Sequence, residues 1–166
     1  MSSYHKTIIA EDLSQTEALA QDLAPLLRPQ DIILLSGDLG TGKTAFCRAL
    51  IRALTSADEE VPSPTFTLVQ LYPTYHEETI WHFDLYRLKE PEEVWELGIE
   101  EAFSNAISLI EWPERLPGIP LEKALRVGIF MEGTGHKRRI ELSATDYWFP
   151  RLEELTGTRG VGFDDL

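Results

Sequence analysis

The sequence predicts an α/β domain built in three layers, with helices on both faces of a mixed, mainly parallel central sheet. Three observations carry that expectation. Ile32-Ile33-Leu34-Leu35 and Ala106-Ile107-Ser108-Leu109-Ile110 are near-continuous apolar runs, the pattern of strands buried on both faces. Amphipathic helical patterns lie between and around them. A glycine-rich stretch, Gly37 to Thr44, joins the first run directly to a helix. The 166 residues suit one domain able to bury a core unaided. That domain is expected over residues 1–155, with an acidic, flexible tail over 156–166.

The elements follow in order. Tyr4 to Ala10 is extended, and Ser14 followed by Glu17 has the form of a capping box that opens a helix. Leu19, Ala20, Leu23, Ala24 and Leu27 mark its apolar face, and Pro29 stops it. After the strand Ile32 to Leu35 and the glycine-rich loop, Phe46, Leu50, Ile51 and Leu54 define a second helix ending near Ser56. Asp58 to Pro64 reads as an exposed connection. Thr65 to Tyr72 and Thr79 to Tyr86 then read as a hairpin joined across Pro73 to Glu78. Pro91-Glu92-Glu93 opens a helix running to about Phe103, with Val94, Leu97 and Phe103 inward. The buried strand Ala106 to Ile110 is closed by Glu111-Trp112-Pro113. Ala124 to Met131 and Lys137 to Ser143 form an antiparallel pair over Gly133-Thr134-Gly135, and Tyr147 to Leu155 is a last short helix.

Composition excludes several functions. With 15 Lys plus Arg against 28 Asp plus Glu, the net charge is −13, a surface that repels phosphate backbones and anionic lipid. Neither direct nucleic-acid binding nor membrane binding is expected. Cys47 is the one cysteine, so no internal disulfide or redox pair forms, and the cytoplasm is the expected compartment. No apolar run approaches the roughly 20 residues of a membrane-spanning helix.

Gly37-Asp38-Leu39-Gly40-Thr41-Gly42-Lys43-Thr44 satisfies G-x-x-x-x-G-K-[ST] in full, between a buried strand and a helix, as a P-loop requires. The predicted domain is therefore P-loop NTPase-like. The glycines free the backbone so that successive N–H groups turn toward phosphate oxygens. Lys43 supplies a point charge, Thr44 a hydroxyl for Mg2+, and the helix start directs its positive dipole end at the same anion. Guanine-specific sites usually carry [NT]-K-x-D; none of the five lysines follows Asn or Thr, so ATP is favoured.

A P-loop enzyme also needs a carboxylate near the metal, at the carboxyl ends of the strands. Asp84 and Glu111 both stand there, and spacing alone does not say which is the direct ligand. Trp112 is placed either to cover an adenine or to fill a core gap. His82, between Trp81 and Phe83, reads as structural, and Cys47 as packing. Ser63-Pro64-Thr65 is placed as a switch-like loop that senses a γ-phosphate, or as a stiff turn. His136 to Arg139 is a small basic cluster, either a solvated edge or a contact for nucleotide phosphate.

Four blocks together resemble the TsaE family of bacterial P-loop ATPases. They are the P-loop, Ser63-Pro64-Thr65-Phe66-Thr67-Leu68, His82-Phe83-Asp84-Leu85-Tyr86-Arg87-Leu88 and Ile110-Glu111-Trp112-Pro113-Glu114-Arg115, within about Thr7 to Leu142. The resemblance implies a subunit needed to form N6-threonylcarbamoyladenosine at position 37 of tRNAs reading codons that begin with A. It implies weak ATP hydrolysis alone, and partners TsaD and TsaB whose repeated turnover depends on that hydrolysis. It further implies that Lys43 holds phosphates, Thr44 binds Mg2+, Asp84 and Glu111 serve the metal and the attacking water, Trp112 lies near the nucleotide, Thr65 belongs to the switch and Thr16 lies near the base. Two other readings share the cradle: a small-molecule kinase, and a nucleotide-gated binding module that needs no hydrolysis. Arg138 and Arg139 fall on a predicted strand and face opposite sides, which supports a kinase lid poorly.

Overall fold

A computed structural model describes residues 3–155 and 162–165. The strands are β1 (Ser3–Ala10), β2 (Ile32–Ser36), β3 (Val69–Pro73), β4 (Thr79–Asp84), β5 (Ile107–Glu111), β6 (Ala124–Met131), β7 (Arg138–Thr145) and β8 (Gly162–Asp165). The helices are α1 (Leu13–Leu23), α2 (Lys43–Leu54), α3 (Glu92–Glu96), α4 (Ile99–Asn105) and α5 (Phe149–Leu152). One sheet runs in the order β3-β4-β5-β2-β6-β7-β1-β8. Its centre, β4-β5-β2-β6, is parallel, and the flanking pairs β3-β4, β6-β7, β7-β1 and β1-β8 are antiparallel.

Alternation along the central strands makes the three layers. Ile33 and Leu35 of β2 join Leu109, Val127, Leu19, Leu23, Phe46 and Leu50 in a core beneath α1 and α2. Ile32 and Leu34 point the other way, into a smaller core with Phe83, Ile110, Val94, Ile99 and Ala102 under α3 and α4. A strand with both faces covered must be apolar at every position, which is why β2 reads as an unbroken run. No helix among the described residues is long and apolar enough to cross a membrane.

The last helix is tied to the start of β2. Asp31, fully buried, receives two bonds from the Arg151 guanidinium (2.6 and 3.1 Å), one from the Tyr147 hydroxyl (2.9 Å) and one from the Arg28 N–H (2.7 Å). Arg151 also donates to the Leu26 carbonyl, and its guanidinium lies 4.0 Å from the Trp148 ring centroid. The Trp148 indole N–H donates to the Lys123 carbonyl.

Three expectations are corrected. The cap of α1 is Asp12, whose carboxylate accepts from the Gln15 N–H at 3.0 Å, while Ser14 lies inside the helix and donates to Asp12. The single helix expected from Pro91 to Phe103 is broken at Gly98, which has φ +90° and starts α4 afresh, leaving Leu97 exposed. Thr65 to Leu68 is a turn rather than strand: Leu68 has φ +69° and its N–H donates to the Pro64 carbonyl at 2.7 Å. Within the expected tail, Gly162–Asp165 pairs with the outer edge of β1, an edge whose backbone groups would otherwise be unpaired. Residues 156–161 and 166 lie outside the described residues.

Candidate functional site

The chain leaves β2 at Ser36 and enters α2 at Lys43 through a loop whose shape depends on glycine. Gly37, Gly40 and Gly42 have φ of +137°, +80° and +113°, a region that costs other residues about 1–2 kcal/mol. A Cβ on Gly37 would lie 2.3 Å from the Ile129 carbonyl oxygen of β6; Gly40 and Gly42 face open space. The Lys43 ammonium folds back into this loop, donating to the carbonyls of Gly37 (2.5 Å) and Asp38 (2.8 Å), and lies 4.3 Å from the Trp112 ring centroid. Burial draws its pKa below the usual lysine range, opposed by the charges of Glu111, Glu114, Asp84 and Asp38. Thr41 closes the loop by donating to the Asp38 carbonyl, and Arg138 of β7 donates to the Thr41 carbonyl, both at 3.0 Å.

Sheet register brings the two acids together. Asp84 ends β4 opposite Glu111 at the end of β5, and Glu111 is opposite Leu35 of β2. Both carboxylates are buried and fully engaged. Glu111 Oε1 accepts from the Thr44 hydroxyl at 2.9 Å, and its Oε2 is 2.7 Å from His82 Nε2. Asp84 Oδ2 accepts from Thr65 (2.8 Å) and, at longer range, Ser63 (3.4 Å); its Oδ1 accepts from the Tyr86 N–H (3.0 Å).

These groups line one cleft of about 420 Å³, with Leu39, Gly40, Gly42, Lys43, Thr44, Ser63, Thr65, Asp84, Glu111 and Trp112 among its walls. Trp112 packs against the smaller core and also lines the cleft, with a backbone φ of +60°. On the other side of the loop, Thr16, Thr41, His136 and Arg138 join Gly40 and Gly42 around a second cavity of about 230 Å³. Among the described residues the buried Thr16 hydroxyl has no hydrogen-bond partner. Gly37 and Asp38 line neither cavity and serve the site through the carbonyls that hold Lys43.

Three residues in the site escape the sequence reading. Tyr86 and Arg87 line the cleft, Tyr86 against Trp112 with ring centroids 5.0 Å apart and Arg87 over the exposed Phe66 ring at 4.6 Å. Both stand within the block that contains Asp84, which was the signal available. The third is His82, whose bond to Glu111 has no mark in the sequence.

A family model described as "Threonylcarbamoyl adenosine biosynthesis protein TsaE" matches residues 10–140. The chain belongs to the TsaE family. A TsaE relative from Rickettsia felis is 50% identical over 107 residues, which are 64% of this chain and 62% of the relative's own length. The TsaE protein of Aquifex aeolicus is 36% identical over 138 residues, covering 82% of this chain and 95% of that one. Both bear the name tRNA threonylcarbamoyladenosine biosynthesis protein TsaE. The crystal structure of Bacillus subtilus YdiB matches the fold with a TM-score of 0.74 at 26% identity, over 94% of this chain and 97% of that chain. A TsaE chain with this cleft carries both the P-loop and the two acids that the four sequence blocks picked out.

Proposed function

We propose that this chain is a Mg2+-dependent ATPase subunit of the cytoplasm, required to form N6-threonylcarbamoyladenosine at position 37 of tRNAs reading codons that begin with A, and that it works by binding and resetting a TsaD–TsaB pair. The observation that carries this reading is the convergence of Lys43, Thr44, Asp84 and Glu111 on one cleft beside the P-loop. The names of its relatives supply the pathway.

The donor set fits Mg2+. Hard oxygen ligands are offered by the Thr44 hydroxyl and the Glu111 and Asp84 carboxylates, and no thiol or imidazole lines the cleft. When bound, the ion supplies charge neutralisation at the β- and γ-phosphates. Lys43 would exchange the neutral Gly37 and Asp38 carbonyls for charged phosphate oxygens, the stronger acceptors. The N–H groups of Gly40, Gly42 and the first turn of α2 face the same anion. Thr44 and one acid would hold the cation, and the other acid would accept a hydrogen bond from the attacking water. Thr16 and His136 line the cavity across the loop, which supports that cavity as the seat of the base.

Hydrolysis reaches the surface through Asp84. Any ligand that takes its Oδ2 competes with Thr65 and Ser63, so the occupancy of the site is coupled to the 63–65 loop and to Phe66, 81% exposed beside it. A partner that reads this loop reads the nucleotide state. The kinase alternative loses ground because Arg138 is bound to the Thr41 and Gly135 carbonyls and Arg139 is paired with Glu132 and Glu141.

The test is phosphate release from ATP with and without TsaD and TsaB. We expect slow turnover alone and an increase on the order of tenfold or more with the partners, about 1.4 kcal/mol of barrier per factor of ten. Lys43→Ala should abolish turnover, and Glu111→Gln should retain ATP binding by calorimetry while losing hydrolysis. Equal rates with and without partners would overturn the partner-dependent reading.

A further inference from the structure

His82 is fully buried on β4, where Ile80 two residues before it and Leu109, its register partner on β5, belong to the larger apolar core and the thiol of Cys47 lies within 4.8 Å. An aliphatic side chain would suit that setting better. His82 Nδ1 is buried without a hydrogen-bond partner among the described residues, so the imidazole's one polar contact is the 2.7 Å bond from Nε2 to Glu111 Oε2. A carboxylate only accepts, so Nε2 carries the proton and donates.

Strand geometry explains why the contact is directional. Residues two apart on a strand share a face, which puts His82 one step behind Asp84, and register puts Asp84 opposite Glu111. His82 therefore approaches Glu111 from the core side, while Thr44 takes the other carboxylate oxygen from the cleft side. Left without His82, the carboxylate would keep only the Thr44 bond, which Thr44 gives up if its hydroxyl turns to a cation.

The geometry points to His82 as the positioning residue for Glu111: it holds Oε2 still so that Oε1 stays turned into the cleft. This rests on the Mg2+-dependent hydrolysis proposed above. The arrangement parallels the outer-shell partners that orient metal ligands, whose loss typically costs 10–100-fold in metal affinity or activity.

The experiment compares His82→Leu, which removes the donor, with His82→Gln, whose amide N–H can replace it. For His82→Leu we expect kcat to fall and the Mg2+ half-saturation to rise, each by about 10–100-fold. ATP affinity without Mg2+ should change by less than about threefold, and Mg2+ binding to the ADP-loaded protein, followed by calorimetry, should weaken in parallel. His82→Gln should recover most of the loss. In the nucleotide-free wild-type protein, long-range 15N–1H spectra should show the His82 proton on Nε2, with that signal moving in Glu111→Gln. A bare Nε2, a His82→Leu protein with wild-type Mg2+ dependence and turnover, or a Gln variant no better than Leu would overturn the assignment. Should His82→Leu fail to fold, the wild-type spectra and the Gln variant still decide. A wild-type protein that binds Mg2+ and shows the Nε2 proton but never hydrolyses ATP would instead overturn the hydrolytic reading.

Discussion

Gly37 and Gly40 are both held at positive φ, yet only Gly37 is also crowded. Gly40→Ala should therefore cost about 1–2 kcal/mol, the strain of the backbone conformation alone. Gly37→Ala adds a Cβ 2.3 Å from the Ile129 carbonyl, and β6 must move; overpacking of that kind adds roughly 1–3 kcal/mol to the same strain. Urea denaturation of the two variants measures the difference, and equal losses would contradict it. At this scale the sequence speaks where a residue type is the requirement, as with the loop glycines, Lys43 and Thr44. It is silent where an ordinary residue is given a task by its neighbours. His82 alternates with Trp81 and Phe83 and so looks like core, and it is core, but one that grips Glu111. Trp112 at φ +60° is in an unfavourable conformation for an aromatic residue, which no local sequence pattern announces.

Among the elements, β2, the loop and α2 were legible because periodicity, motif and burial all agree there. The start of α1 was legible only in kind. Asp12 and Ser14 both belong to the residue types that cap helices, and the acid two residues earlier takes the position. The Ser14 hydroxyl and then the Gln15 N–H hold the Asp12 carboxyl below the usual range. A lowered folded-state pKa means the cap contributes above the unfolded pKa and fades as pH falls through the lowered one. Asp12→Ala should thus lower the melting temperature at pH 7 more than Ser14→Ala, with the gap closing in acid; a gap that persists at pH 2 would contradict the cap. The break between α3 and α4 was hidden because Val94, Leu97 and Phe103 keep a helical spacing across it. Gly98 was the warning, since a glycine inside such a pattern marks an end as readily as a tolerated interior position. The misread strand at Thr65 to Leu68 has the opposite cause: threonines and an aromatic favour strands, and the turn beside Asp84 overrides that preference.

The molecule as a whole is closed by the buried pair of Asp31 and Arg151, which joins the entrance of β2 to α5 across 120 residues of sequence. Removing one partner of such a pair strands the other in a low dielectric, so Arg151→Ala should lose about 3–5 kcal/mol, read from urea denaturation. A loss under about 1 kcal/mol would show that Tyr147 and the Arg28 N–H satisfy Asp31 without it. The pairing was not legible, because neither residue stands in a motif and nothing local links them. Its practical meaning lies in where a gene is cut. The family match stops at residue 140, whereas Trp148, Arg151, Leu152 and Leu155 are all buried beyond it. A shortened reading frame drawn at that border would encode a glycine-rich loop hung from an unbraced strand, so a cut there removes part of the core along with the tail.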